Sequence, residues 1–134
     1  MEKNKLLIAI ISVVIIVAAL AGFFCTRGKR DIPGIWESDI FTNRSTGKQG
    51  QNILIITSSG RGCSISIDPS SASVNNVKFG TFKIESFRAV FQEDGTTGIF
   101  TDYDYNPITN HLSCGDRIYS KTDKYQELYD MFIK

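Results

Sequence analysis

Asn52 to Ile67 reads NILIITSSGRGCSISI, and this stretch decides the fold. Asn52–Thr57 is a short apolar run rich in β-branched residues, the signature of a buried strand. Ser58–Gly62 (SSGRG) supplies turn chemistry, and Cys63–Ile67 (CSISI) alternates strictly with period two. Two strands and a tight connection give an antiparallel hairpin, and the same grammar repeats on either side.

Upstream, Ile35–Phe41 (IWESDIF) reads as a first strand and Thr42–Gly50 as a polar loop. Downstream, Asp68–Asn76 (DPSSASVNN) is a punctuated loop. Val77–Ile84 and Phe87–Gln92 are strands, with Gly80 marking a bulge. Glu93-Asp94-Gly95 is a turn, Ile99–Tyr105 alternates, and Asn106–Asn110 turns the chain. Leu112–Cys114 and Arg117–Lys121 make a last pair around Gly115-Asp116. Seven to eight short, closely spaced strands predict a small antiparallel β-barrel or sandwich. At the end the period changes: Tyr125, Leu128, Tyr129 and Phe132 make one helical stripe, with Asp123 as N-cap and Gln126 completing a capping box. A helix this short is stable only when docked on the sheet.

The N-terminus is of another kind. Leu6–Phe24 (LLIAIISVVIIVAALAGFF) carries no charge, and Ser12 is its only polar side chain. As a helix it reaches about 28 Å, one hydrocarbon thickness. Ala19-Leu20-Ala21 resembles a signal cleavage site and Cys25 a lipidation cysteine. The apolar run nevertheless continues past the first, and Phe24 rather than a small residue precedes the second. The expectation is an uncleaved single-pass anchor over residues 1–25, a basic linker over 26–34 ending in Pro33-Gly34, and a β-domain over 35–134. The short charged n-region favours the N-terminus inside and the domain outside the cytoplasm. Ala18 and Gly22 form a small-xxx-small pair, a face on which another helix could pack.

The chain of 134 residues has a formal charge of +1 that conceals a division. Lys3, Lys5, Arg27, Lys29 and Arg30 flank the apolar segment, which suits anionic lipid headgroups. Asp31–Lys134 then holds 10 basic and 13 acidic residues, a net of −3. That balance argues against a nucleic-acid partner.

Pro33-Gly34-Ile35-Trp36 resembles the G-x-W opening of the calycins, the lipocalins and their shorter bacterial relatives. The run Phe91-Gln92-Glu93-Asp94-Gly95, then Tyr105, Leu112 and Arg117-Ile118-Tyr119-Ser120-Lys121, is similar to the later pattern of those small domains. The resemblance covers roughly residues 32–121. It implies an up-and-down barrel with Trp36 plugging one end and Gly34-Trp36 as the fold signature. It also implies a small apolar ligand, held at inward positions such as Ile53, Ile55, Phe82 and Phe91. Strands followed by a C-terminal helix equally suit a pleckstrin-homology-like barrel, in which the Tyr125–Phe132 helix would be the plug.

Motifs for chemistry are thin. Asp102-Tyr103-Asp104-Tyr105-Asn106 imitates the start of a calcium loop, but Pro107 and Ser113 stand where Gly and an acid are needed. His111 is the only histidine, and three residues along a strand separate its face from that of Cys114. No catalytic, cofactor or metal residues are assigned. Asn43-Arg44-Ser45 is a glycosylation sequon in a loop. Cys63 and Cys114 are a candidate disulfide, worth on the order of 4 kcal/mol if closed. The sequence therefore predicts a membrane-anchored, extracytoplasmic accessory or interaction subunit with a membrane-associated protein partner and no enzymatic activity. A lipocalin-like binder of an apolar ligand and a cytoplasm-facing adaptor are the alternatives.

Overall fold

The computed structural model describes the backbone of residues 2–133 and the side chains of residues 2–22 and 27–131. Helix α1 (Glu2–Asp31) is followed by β1 (Gly34–Ser38), β2 (Phe41–Thr42), β3 (Gln49–Ile56), β4 (Arg61–Asp68) and β5 (Ser73–Ile84). Then come β6 (Arg88–Glu93), β7 (Thr101–Asn106), β8 (His111–Cys114), β9 (Arg117–Lys121) and α2 (Gln126–Ile133). Each strand from β3 to β9 pairs antiparallel with the next, and β1 pairs with both β9 and β3. The meander thus closes into an eight-stranded barrel, which leaves no open edge in the main sheet. β2 is a two-residue addition on the first residues of β3.

Closure separates two apolar layers. Inside, Trp36, Leu54, Ile56, Phe82, Ala89, Phe91, Tyr103, Tyr105, Leu112 and Tyr119 form one cluster, with Ile32 at its end. Outside, Ile35, Ile53, Ile55, Cys63, Ile65 and Ile67 form another, against which Tyr125, Leu128 and Tyr129 pack. The C-terminal helix therefore lies along the outer wall of β1, β3 and β4. It does not plug the barrel, as the pleckstrin-homology-like layout requires. Its first turn begins later than the capping box predicts: the Tyr125 carbonyl accepts from Leu128 and Tyr129, and Gln126 bonds Asp130 instead. Phe132 lies outside the described side chains.

The plug is at the other terminus of the domain. Ile32 and Trp36 are fully buried at the barrel base, and the indole meets Tyr105 edge-on at 6.3 Å. Lys121 lies over the indole, 5.1 Å from its centre, and donates to the Pro33 carbonyl at 2.7 Å. Gly34, at φ +146°, leaves the room that this ammonium occupies. The residues expected to form a linker are mostly helical, because α1 runs unbroken to Asp31. Arg27 and Asp31 pair across one turn, and Gly28 presses on the backbone oxygens of Glu85 and Ser86. A side chain at Gly28 would prevent that approach.

Three smaller expectations are corrected. The first strand ends at Ser38, and β5 begins at Ser73 inside the expected loop. The register shift falls between Ser66 and Ile67 rather than at Gly80. Gly80 is in register; it is small because the Gln92 carbonyl oxygen and, beside it, the Phe91 ring occupy the space its Cβ would take.

Candidate functional site

Period two means that each strand commits alternate residues to the interior. In this barrel the inward residues change character along the strand. Toward the base they are Trp36, Leu54, Ile56, Phe82, Tyr105 and Leu112, all buried. Toward the other end they are Asn52, Ser64, Ser66, Asn76, Lys78, Glu93, Thr101 and Arg117, which line an open cavity of about 610 Å³ with Ile99 and Asp116. Phe91, Tyr103, Tyr119 and Cys114 complete its lining where the two halves meet. That volume falls in the range that holds small ligands. β1 leaves the base at Gly34 and reaches the mouth at Ser38, so the cavity opens away from α1.

The cavity's lower wall is aromatic and hydrogen-bonded. Tyr103 and Tyr119 meet edge-on, with ring centres 5.6 Å apart, and Phe91 lies 4.6 Å from Phe82 beneath. Asn52 donates to the Tyr119 hydroxyl at 3.3 Å and accepts from Ser66 at 3.4 Å. The Ser38 hydroxyl accepts from the Asn52 backbone at 2.9 Å, which holds that strand end in place. Burial pushes the Tyr103 and Tyr119 hydroxyls above their ordinary pKa, so both remain neutral donors at physiological pH. Burial likewise raises the Cys114 thiol, with Arg117 working against it. At the rim, the Arg117 guanidinium sits 3.6 Å from the centre of the Phe41 ring. That ring in turn covers Gly50, where a Cβ would lie 2.7 Å from it. The rim cations Lys78 and Arg117 face the rim anions Glu93 and Asp116, a mixed field suited to a ligand with both donors and acceptors.

The structure redistributes the residues singled out by sequence. Gly34 and Trp36 are together at the base. Cys63 and Cys114 are both free thiols, and the expected disulfide is not formed. Cys63 points outward from β4 into the layer under α2, whereas Cys114 lines the cavity from β8. Ile53 and Ile55, expected inside, also face outward under α2, while Phe82 and Phe91 are interior. Asp102 and Asp104 are exposed on β7, and His111 begins β8 on the face opposite Cys114. Among the described residues, no group of three or more His, Cys, Asp or Glu is placed to hold a metal ion. Ala18 and Gly22 lie four residues apart on α1, and a Cβ at Gly22 would meet no atom within 4 Å.

Sequence reasoning missed the polar lining. Its signal was present as Ser64 and Ser66, which alternate with the isoleucines of β4. No protein-family model, curated protein or solved structure matches the chain. The closed eight-stranded antiparallel barrel is itself compatible with a lipocalin-like barrel.

Proposed function

We propose that the chain is a single-pass, membrane-anchored binding protein with a lipocalin-like barrel. Its open end captures a small amphiphilic ligand on the extracytoplasmic side. The observation that carries this reading is the 610 Å³ cavity with an aromatic floor and a hydrogen-bonding rim. A ring or short chain would lie against Phe91, Tyr103 and Tyr119. Its polar groups would meet Asn52, Ser64 and the charged rim. This moves the ligand class from apolar to amphiphilic, because most of the lining residues can exchange hydrogen bonds. A purely apolar guest would leave those groups unpaired, at a cost of about 1–3 kcal/mol each. α1, with a mean hydropathy of 3.1 in its most apolar window, supplies the anchor.

Native mass spectrometry of the full chain released from nanodiscs, beside Ser64→Leu/Ser66→Leu, tests the reading. A small-molecule adduct retained by the parent and lost from the filled variant is the expected result. Identical spectra from the two proteins overturn it. Labelling of Cys114 by a membrane-impermeant maleimide in intact cells tests the orientation, with labelling only after lysis counting against it.

A second reading, an accessory subunit of a membrane assembly, is favoured by Ile99 and Phe100. These consecutive apolar residues at the mouth are 68% and 58% exposed. Aromatic residues in such positions anchor protein interfaces. A mild-detergent pull-down in which Phe100→Asp recovers the same partners as the parent would remove that support.

A further inference from the structure

We infer that the anchor end of the barrel is a lipid-docking surface, with Phe87 and Ile108 seated among the headgroups of the same bilayer that α1 crosses. The inference rests on the anchor in the reading above, and its test separates the two.

The argument begins with distance along one helix. The apolar run ends at Phe24, but α1 continues without a break to Asp31. At about 1.5 Å per residue, Gly28 stands about 6 Å beyond the hydrocarbon edge and Asp31 about 10 Å beyond it. The headgroup layer on one side of a bilayer is about 5–7 Å thick. Gly28 is the residue that touches the Glu85–Ser86 backbone, so this turn is carried to headgroup depth by the helix itself. Phe87, next in the chain, is 48% exposed.

A second turn is tied to the same helix. The Tyr105 hydroxyl bonds Asn110 at 2.9 Å and approaches Asp31 at 3.5 Å. This places the Asn106–Asn110 turn beside the helix exit, with Ile108 at its tip, 84% exposed. Two apolar tips thus flank a helix long and apolar enough to cross a bilayer. Between Lys29 and the Ser58–Gly60 turn runs a groove of about 240 Å³ with a cation and hydroxyls on its walls, the chemistry of a phosphate-bearing headgroup. Exposed apolar side chains at this depth are stabilised by the interface, whereas in water they are a liability.

Three variants of the full chain, Phe87→Trp, Ile108→Trp and Val14→Trp, are reconstituted in phosphatidylcholine–phosphatidylglycerol vesicles with brominated acyl chains. Phe100→Trp reports the mouth, and parental emission from Trp36 is subtracted throughout. Positions 87 and 108 are expected to lose clearly more of the added emission than position 100, and less than position 14, which lies among the acyl chains. If position 14 is quenched but 87 and 108 are no more quenched than 100, the docking is overturned and the span stands. If position 14 also stays bright, the anchor reading falls and the docking with it.

Discussion

The indole N–H of Trp36 donates to the main-chain carbonyl of Ile32 at 2.8 Å, four residues back, and the Ile32 N–H donates to the Gly28 carbonyl, so the barrel plug is tied to the end of the N-terminal helix. Both residues are fully buried. Replacing Trp36 with Phe keeps an aromatic ring but orphans the carbonyl and opens a small void. A loss of about 2–3 kcal/mol is expected, read as a lower urea midpoint with an unchanged slope.

Gly28 bears on how that helix meets the barrel. Gly28→Leu should push the Glu85–Ser86 turn off the helix while leaving the strands closed. Hydrogen exchange across Glu85–Phe87 is expected to rise, with β3 and β4 keeping their protection. Global loss of protection would mean that the contact is needed for closure itself.

Cys63 is 1% exposed, and burial pushes its thiol from an ordinary value of 9.0 to about 11. The folded state therefore favours the neutral thiol. That stability is fully present below pH 9 and is lost as the pH rises toward 11, by about 2–3 kcal/mol in total. Chemical denaturation across this window should show a steeper decline for the parent than for Cys63→Ala. Parallel curves would deny the linkage, and the pairwise comparison cancels the tyrosines that titrate nearby.

Leu128 and Tyr129 hold α2 over the outer isoleucines. Leu128→Asp places a charge in that layer and should release the helix. Limited proteolysis is expected to cut near Lys124 while the barrel persists, now exposing Ile53, Ile55 and Ile65 and prone to associate. Resistance equal to the parent would show that the helix is held by something else.

Arg61 and Asp94 make a two-pronged ion pair at 2.8 Å, yet both side chains are 53% exposed. Screening limits its value, so Asp94→Ala should lower the thermal midpoint only slightly, and less still in high salt. A larger effect in thermal denaturation would point to a role in holding the turn after β6.

Much of the architecture was legible because turn chemistry and period two are local. The Ser58–Gly62 turn, the paired strands around it and the terminal amphipathic helix all follow from neighbouring residues. Facing was not legible. Asn52–Thr57 is apolar on both sides of the strand, so the sequence does not say whether Ile53 or Leu54 looks inward. In β4 the usual rule inverts: Ser64 and Ser66 face the cavity, and Ile65 and Ile67 face out, because α2 covers the outer wall. A polar interior and a roofed exterior reverse the alternation that a water-facing barrel would show. The supposed linker failed for a related reason: a helix that gains a docking contact at Gly28 can outlast its own apolar run.

The graded interior divides the barrel into two provinces with different obligations. The base, crowded with Trp36, Phe82 and Leu112, maintains the fold and tolerates little substitution. The mouth, lined by serines, asparagines and rim charges, opens to solvent, so truncating a side chain there removes less buried apolar surface than at the base. A substitution at one pole thus acts on the packing that holds the barrel, and one at the other pole acts on the lining of the cavity.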